Sequence, residues 1–129
     1  MAALQVTLVS PDREVWSGEA EMLIARTTEG ELGVLPGHTP LLGELVPWPV
    51  RIKRGGEPDL VAAVHGGFLS VTNRGVSVLA EIVELADEVD TARARQAFER
   101  ASQAGAGDDG SAAALRRARA RLRAAGENV

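Results

Sequence analysis

The chain changes character once, near residue 86, and that change constrains its fold more than any other feature. Before it, short apolar stretches are cut again and again by Gly, Pro, Asn and Asp. Beyond Asp90 there is no proline, and Ala and Arg dominate. Leu4, Val6 and Leu8 alternate with Gln5 and Thr7, the period of a half-buried strand, until Pro11-Asp12-Arg13 breaks the run. Met22 to Ala25 forms a second run that ends at Thr28-Glu29-Gly30. Val50-Arg51-Ile52-Lys53 alternates and stops at Gly55-Gly56, which reads as a hairpin turn. Leu60 to Val64 is continuously apolar, so both of its faces should be covered. Phe68 to Val71 and Val76 to Leu79 follow, separated by Asn73-Arg74-Gly75. Many short strands with no helix between them predict a mainly β fold, an antiparallel β-sandwich over residues 1–86.

Residues 87–129 predict a C-terminal α-helical hairpin. Asp90 has the side chain of an N-cap for a helix reaching about Gln103. The glycine-rich stretch 105–110 predicts a loop. Ser111 is placed to cap a second helix, from Ala112 to about Ala125, which Gly126 would end. On that helix Leu115, Ala118, Leu122 and Ala125 share a stripe, with Ala94, Ala97, Phe98 and Ala101 as the facing set on the first. Arg116, Arg117, Arg119, Arg121 and Arg123 fill the remaining circumference, which reads equally as a solvated face or as an electrostatic docking surface for an acidic partner. Because Ala buries little apolar surface, the hairpin should be the loosely held part of the molecule.

Charge divides at the same place. The net charge is −4, yet residues 1–90 carry 6 basic and 14 acidic side chains and residues 91–129 carry 8 and 4. An acidic body is a poor nucleic-acid binder, although the Arg-rich end keeps that reading as the alternative. There is no cysteine, so thiolate zinc sites and thiol catalysis are excluded, and His38 and His65 alone do not complete a metal site. No metal or catalytic residue is expected. The start of the chain lacks the pattern of a secretion signal, and no apolar run approaches the ~20 residues that span a bilayer.

The run Glu29-Gly30-Glu31-Leu32-Gly33-Val34-Leu35-Pro36-Gly37-His38-Thr39-Pro40-Leu41-Leu42 resembles the signature of the epsilon subunits of bacterial F-type ATP synthases (delta in mitochondria). Gly66-Gly67-Phe68-Leu69-Ser70-Val71, Val76 to Glu81 and the opening Val6 to Pro11 are similar to further elements of that family, in order along the whole chain. The resemblance implies a sandwich of about ten strands followed by a hairpin. It also implies a non-catalytic rotor subunit of the central stalk, coupling the c-subunit ring to the catalytic head through the gamma subunit. The hairpin would restrain ATP hydrolysis by reaching the catalytic alpha and beta subunits. The protein would sit on the cytoplasmic face of the plasma membrane, held there only through the complex.

By the same resemblance Glu29, Glu31, Leu32 and His38 face the c-ring, and Leu41, Leu42, Gly66 and Gly67 face gamma. Val89-Asp90-Thr91-Ala92-Arg93-Ala94 is similar to an element that binds regulatory ATP in some members, with Val89 in place of Ile or Leu. Glu84, Asp90, Arg93, Arg100, Arg117 and Arg121 are the contacts this implies; no cofactor is required. The residues alone also allow a simpler role, with Asp90 capping the helix and Arg93 pairing with it. Glu29 and Glu31, at i and i+2 of a strand, would share a face, but nothing beside them supplies a nucleophile. Neither glycine pair fits a phosphate-binding loop.

Overall fold

A computed structural model of the chain describes residues 3–104 and 109–129. Eight strands come first: β1 (Leu4–Ser10), β2 (Arg13–Ala20), β3 (Met22–Thr27), β4 (Gly30–Val34), β5 (Leu41–Glu44), β6 (Trp48–Lys53), β7 (Leu60–Thr72) and β8 (Gly75–Leu85). A 3-10 turn at Ala86–Glu88 leads to α1 (Thr91–Gln103) and α2 (Asp109–Ala124). The hydrogen-bonded order is β2-β1-β8-β7-β6-β3-β4, with β5 also on β7. Every pairing is antiparallel except β1 with β8.

Two long bent strands turn this path into a sandwich. The first half of β7 pairs with β6, from Leu60↔Ile52 to Val64↔Trp48, and its second half pairs with β5, from Phe68↔Glu44 to Val71↔Leu41. The bend is at Gly66 and Gly67, whose φ values of 67° and 122° suit glycine far better than any other residue. Inward-facing positions change parity there: Ala62 and Val64 are buried before it, Leu69 and Val71 after it. In β8 the same switch separates Val76, Val78 and Ala80 from Val83. Each long strand therefore serves both layers, and eight strands do the work for which about ten were expected. Between the layers, Val6, Leu8, Leu23, Ile52, Leu69 and Val78 form one nearly waterless core.

The three strands without clear alternation, β2, β4 and β5, escape sequence reading because glycine or charge interrupts each (Gly18, Gly33, Gly43). Glu29 lies in the two-residue β3–β4 turn rather than on a strand, so it does not share a strand face with Glu31. The capping oxygen there is Thr27 Oγ1, which accepts from Glu29 N at 3.2 Å.

The helices depart from expectation at one end. α1 begins as anticipated: Asp90 Oδ1 accepts from Arg93 N at 3.0 Å, so Arg93 meets Asp90 through its backbone. α2 starts at Asp109, which puts Gly110 and Ser111 inside the helix and removes Ser111 as its cap. The rest of the expected glycine loop, residues 105–108, lies outside the described residues. α2 closes on Gly126 (φ 96°), with Gly126 N on Arg123 O at 3.0 Å and Glu127 N on Leu122 O at 2.9 Å. Those paired bonds satisfy carbonyls that the helix end leaves open.

Candidate functional site

α2 lies flat on the outer face of β6 and β7, and α1 rests on α2. On β7 the core takes Ala62 and Val64, which leaves Ala63 and His65 pointing outward; both are nevertheless buried. Ala118, Ala120, Leu122 and Ala124 of α2 are buried as well, as are Ala94 and Ala101 of α1. This explains the unbroken apolar run at 60–64, which has the core on one side and a helix on the other. Small side chains let α2 lie close, and Leu122 is its single large fully buried residue.

The arginines of α2 are not a solvated face. Arg116 is exposed, but Arg117, Arg119, Arg121 and Arg123 are partly covered. Arg121 Nε donates to Glu84 Oε1 at 2.5 Å. Arg123 Cζ lies 4.5 Å from the Trp48 ring centre, and Arg26 of β3 lies 4.3 Å from the same ring. Arg119 Cζ is 5.7 Å from the Phe98 ring. Helix spacing alone offers these side chains to water or to another subunit, because it cannot show that α2 has neighbours of its own chain on two sides. Arg95 and Glu127 pair across the hairpin.

His65 is the polar residue beneath the helix, 4% exposed, with Nε2 3.4 Å from Glu84 Oε1. Among the described residues, neither ring nitrogen has a hydrogen-bond partner in proper geometry. Burial, then the positive charge of Arg121, pushes its pKa down to about 4; Glu84 opposes this and Arg117 adds to it. The imidazole under the docked hairpin is therefore neutral at neutral pH. Nothing in the sequence marked His65, since a histidine closing an apolar run reads as ordinary core.

Glu84, Asp90, Arg93, Arg100 and Arg121, five of the six residues singled out for ATP, line one cavity of about 400 Å³ together with Glu88. Arg117 is not on its wall. Three carboxylates face three guanidinium groups, so the cavity is nearly balanced in charge. Arg121 is already engaged by Glu84, and Asp90 by the α1 N-terminus.

The signature run starts at the β3–β4 turn, where Glu29 and Gly30 share a cleft with Arg116 and Arg119 of α2, and continues to Leu35–His38, which line a small cavity with Asn73, Arg74 and Gly75. Glu29 and Glu31 are exposed; Glu31 pairs in register with Arg26, whose guanidinium is turned onto Trp48. Leu32 and Leu41 are half-buried against the core. His38 Nδ1 lies 2.7 Å from Thr39 O and so supports its own loop. Leu42, by contrast, is 71% exposed. Register places Glu44, Phe68, Leu79, Val9 and Glu14 in a row across β5, β7, β8, β1 and β2, and Phe68 and Leu79 are about half exposed. The carbonyl oxygen of Gly67, at the bend, accepts a hydrogen bond from Leu45 N at 2.9 Å. No group of three or more metal-ligating side chains occurs among the described residues.

Comparison with known proteins agrees with this architecture. Residues 3–86 match the family model for the ATP synthase, Delta/Epsilon chain, beta-sandwich domain. The ATP synthase epsilon chain of Streptomyces avermitilis is 54% identical over 123 residues, covering 95% of each chain. That of Mycobacterium tuberculosis is 52% identical over 127 residues, covering 98% of each. Among solved structures, a chain of the Euglena gracilis mitochondrial ATP synthase OSCP/F1/c-ring assembly superimposes with a TM-score of 0.82 at 25% identity, over 97% of this chain and 82% of that one. A chain from the Tetrahymena thermophila central stalk and c-ring shares the fold, with a TM-score of 0.60 at 22% identity over 94% and 95%. A sandwich that matches the family model, followed by a hairpin that continues the likeness to nearly the full length of these relatives, leaves one assignment: the chain belongs to the ATP synthase delta/epsilon family.

Proposed function

We propose that this chain is a non-catalytic rotor subunit of a proton-translocating ATP synthase. In this reading residues 1–86 grip the gamma subunit and rest on the c-ring, and residues 87–129 form a detachable brake on ATP hydrolysis. The observation that carries the proposal is the contrast between two faces of the sandwich. One is covered by α2 through small side chains and a polar contact at Glu84. The other exposes Phe68 and Leu79 side by side on β7 and β8, with Leu42 exposed on the neighbouring β5, large apolar side chains grouped where a partner could cover them. Leu41, Leu42, Gly66 and Gly67 belong to or flank that second face and would meet gamma. Glu29, Glu31, Leu32 and His38 would meet the c-ring, where the exposed carboxylates would set register more than affinity. The complex would hold the chain at the cytoplasmic face of the plasma membrane.

The experiment is reconstitution of the synthase with full-length chain and with residues 91–129 deleted. Both should assemble, and the deletion should raise ATP hydrolysis. Unchanged hydrolysis would remove the brake from the proposal, and failure of the full chain to assemble would remove the rotor role.

A regulatory nucleotide fits the same reading, favoured by the convergence of five contact residues on one cavity. ATP phosphates would compete with Glu84 and Glu88 for Arg93, Arg100 and Arg121. Binding of ATP to the full chain, lost in Arg93→Ala, is the expected result.

A further inference from the structure

A second cleft, of about 520 Å³, opens between the β3–β4 turn, the segment Val46–Trp48 and α2. Arg26 reaches it from the sandwich, and Arg116 and Arg119 reach it from α2; Glu29 is the one carboxylate among its lining residues. None of the three arginines makes an ion pair among the described residues. The nucleotide cavity, by contrast, balances its charges internally.

Two of these cations are fixed in place by aromatic rings. Arg26 Cζ lies over the Trp48 ring and Arg119 Cζ over the Phe98 ring, contacts that satisfy the cation without neutralising its charge. Among the described residues Arg119 Nε is buried with no hydrogen-bond acceptor. Three cations against one carboxylate leave an excess of positive charge that repels itself, and a bound anion relieves that repulsion. Guanidinium forks match phosphate oxygens in geometry, and Thr28 at the lip adds a hydroxyl.

We propose that this cleft is a second anion site, one that takes a small polyphosphate and thereby ties α2 to the sandwich. The Trp48 ring already carries two guanidinium groups, Arg26 and Arg123, so it is not free to stack on a base. Recognition accordingly rests on the phosphates, whether they come from pyrophosphate or from a nucleoside diphosphate. Because the cleft has walls from both parts of the chain, its occupant favours the docked hairpin by mass action. The proposal does not depend on the stalk assignment.

The test is calorimetric titration of the full chain with pyrophosphate at low salt, repeated with ADP and with sulfate at matched ionic strength. Arg116→Ala, at an exposed position that should not disturb folding, is expected to weaken pyrophosphate by about tenfold, the loss of one charge-assisted contact. Arg119→Gln should do the same, and Glu29→Gln should tighten binding. Arg93→Ala, in the other cavity, should leave this site unchanged, and ADP should match pyrophosphate within about threefold. Tryptic cleavage within α2 should slow when pyrophosphate is bound. Absence of pyrophosphate binding overturns the proposal. So does binding that survives Arg116→Ala but is lost in Arg93→Ala, or binding that sulfate reproduces equally in every variant.

Discussion

Arg121 and Glu84 stand 37 positions apart in sequence, yet the Arg121 Nε lies 2.5 Å from Glu84 Oε1, with both side chains little more than a quarter exposed. Among the described residues this is the ion pair that joins α2 to the sandwich. His65 lies against the same carboxylate. One acidic side chain therefore holds the helix from above and faces a neutral imidazole from below.

Removing Arg121 should loosen the hairpin without unfolding the sandwich. For a pair covered to this extent, Arg121→Ala is expected to cost roughly 1–3 kcal/mol of docking free energy. Amide exchange should then rise through α2 while β1 and β8 stay protected. Equal exchange in α2 of the variant and the parent chain would show that the pair carries no docking energy.

Acid should release the hairpin. Docking holds the His65 pKa at about 4, below the ordinary 6.5, so the undocked or unfolded state binds more protons between those values. Stability of the docked form is full above pH 6.5 and declines as pH falls toward 4, by up to roughly 3 kcal/mol. Proton NMR of the imidazole and melting curves across that window measure both quantities. His65→Asn should flatten the pH dependence; an imidazole titrating near 6.5 in the intact chain would contradict the mechanism.

Gly67 should be intolerant of any side chain. Its φ is 122°, and a Cβ there would run into the Leu79 carbonyl and Ala80 Cα of the neighbouring strand. Gly56 also has positive φ, at 77°, but a Cβ there would meet only open space. Gly56→Ala should cost about 1 kcal/mol, and Gly67→Ala several times more because backbone must move. Denaturant midpoints of the two variants give the comparison.

Leu122→Ala removes the one large fully buried side chain of α2. A loss of roughly 2–5 kcal/mol is expected at such a site, and it should fall on docking. Trypsin should cut the variant faster at Arg116 to Arg123 while leaving residues 3–86 intact. Equal cutting rates would place the docking energy elsewhere.

Sequence reading succeeded where periodicity speaks for itself. Leu4-Val6-Leu8 and Val50-Ile52 announce one buried face each, and Asp90 announces a helix start. It failed where neighbours decide. Arg117, Arg119, Arg121 and Arg123 share a helical surface that looks open to water or to another subunit until α1 and the sheet are seen on either side. Ser111 carries a capping hydroxyl, but the helix had already begun at Asp109. The candidate nucleotide residues were chosen by resemblance, and the fold brings five of them to one cavity. The cleft with Arg26, Thr28, Arg116 and Arg119 left no sequence signal, because its walls come from segments about ninety residues apart.

α2 follows α1 in the chain yet lies beneath it, and this order has a consequence during synthesis. α1 leaves the ribosome before the surface it rests on exists, and a short isolated helix is marginal in water. All eight strands precede both helices in the chain, so the nascent subunit passes through an interval in which the Phe68–Leu79 side and the hairpin-facing side of the sandwich are both bare. A partner that arrives in that interval meets an open platform, and whether α2 or the partner claims the β6–β7 face first becomes a kinetic contest rather than an equilibrium choice.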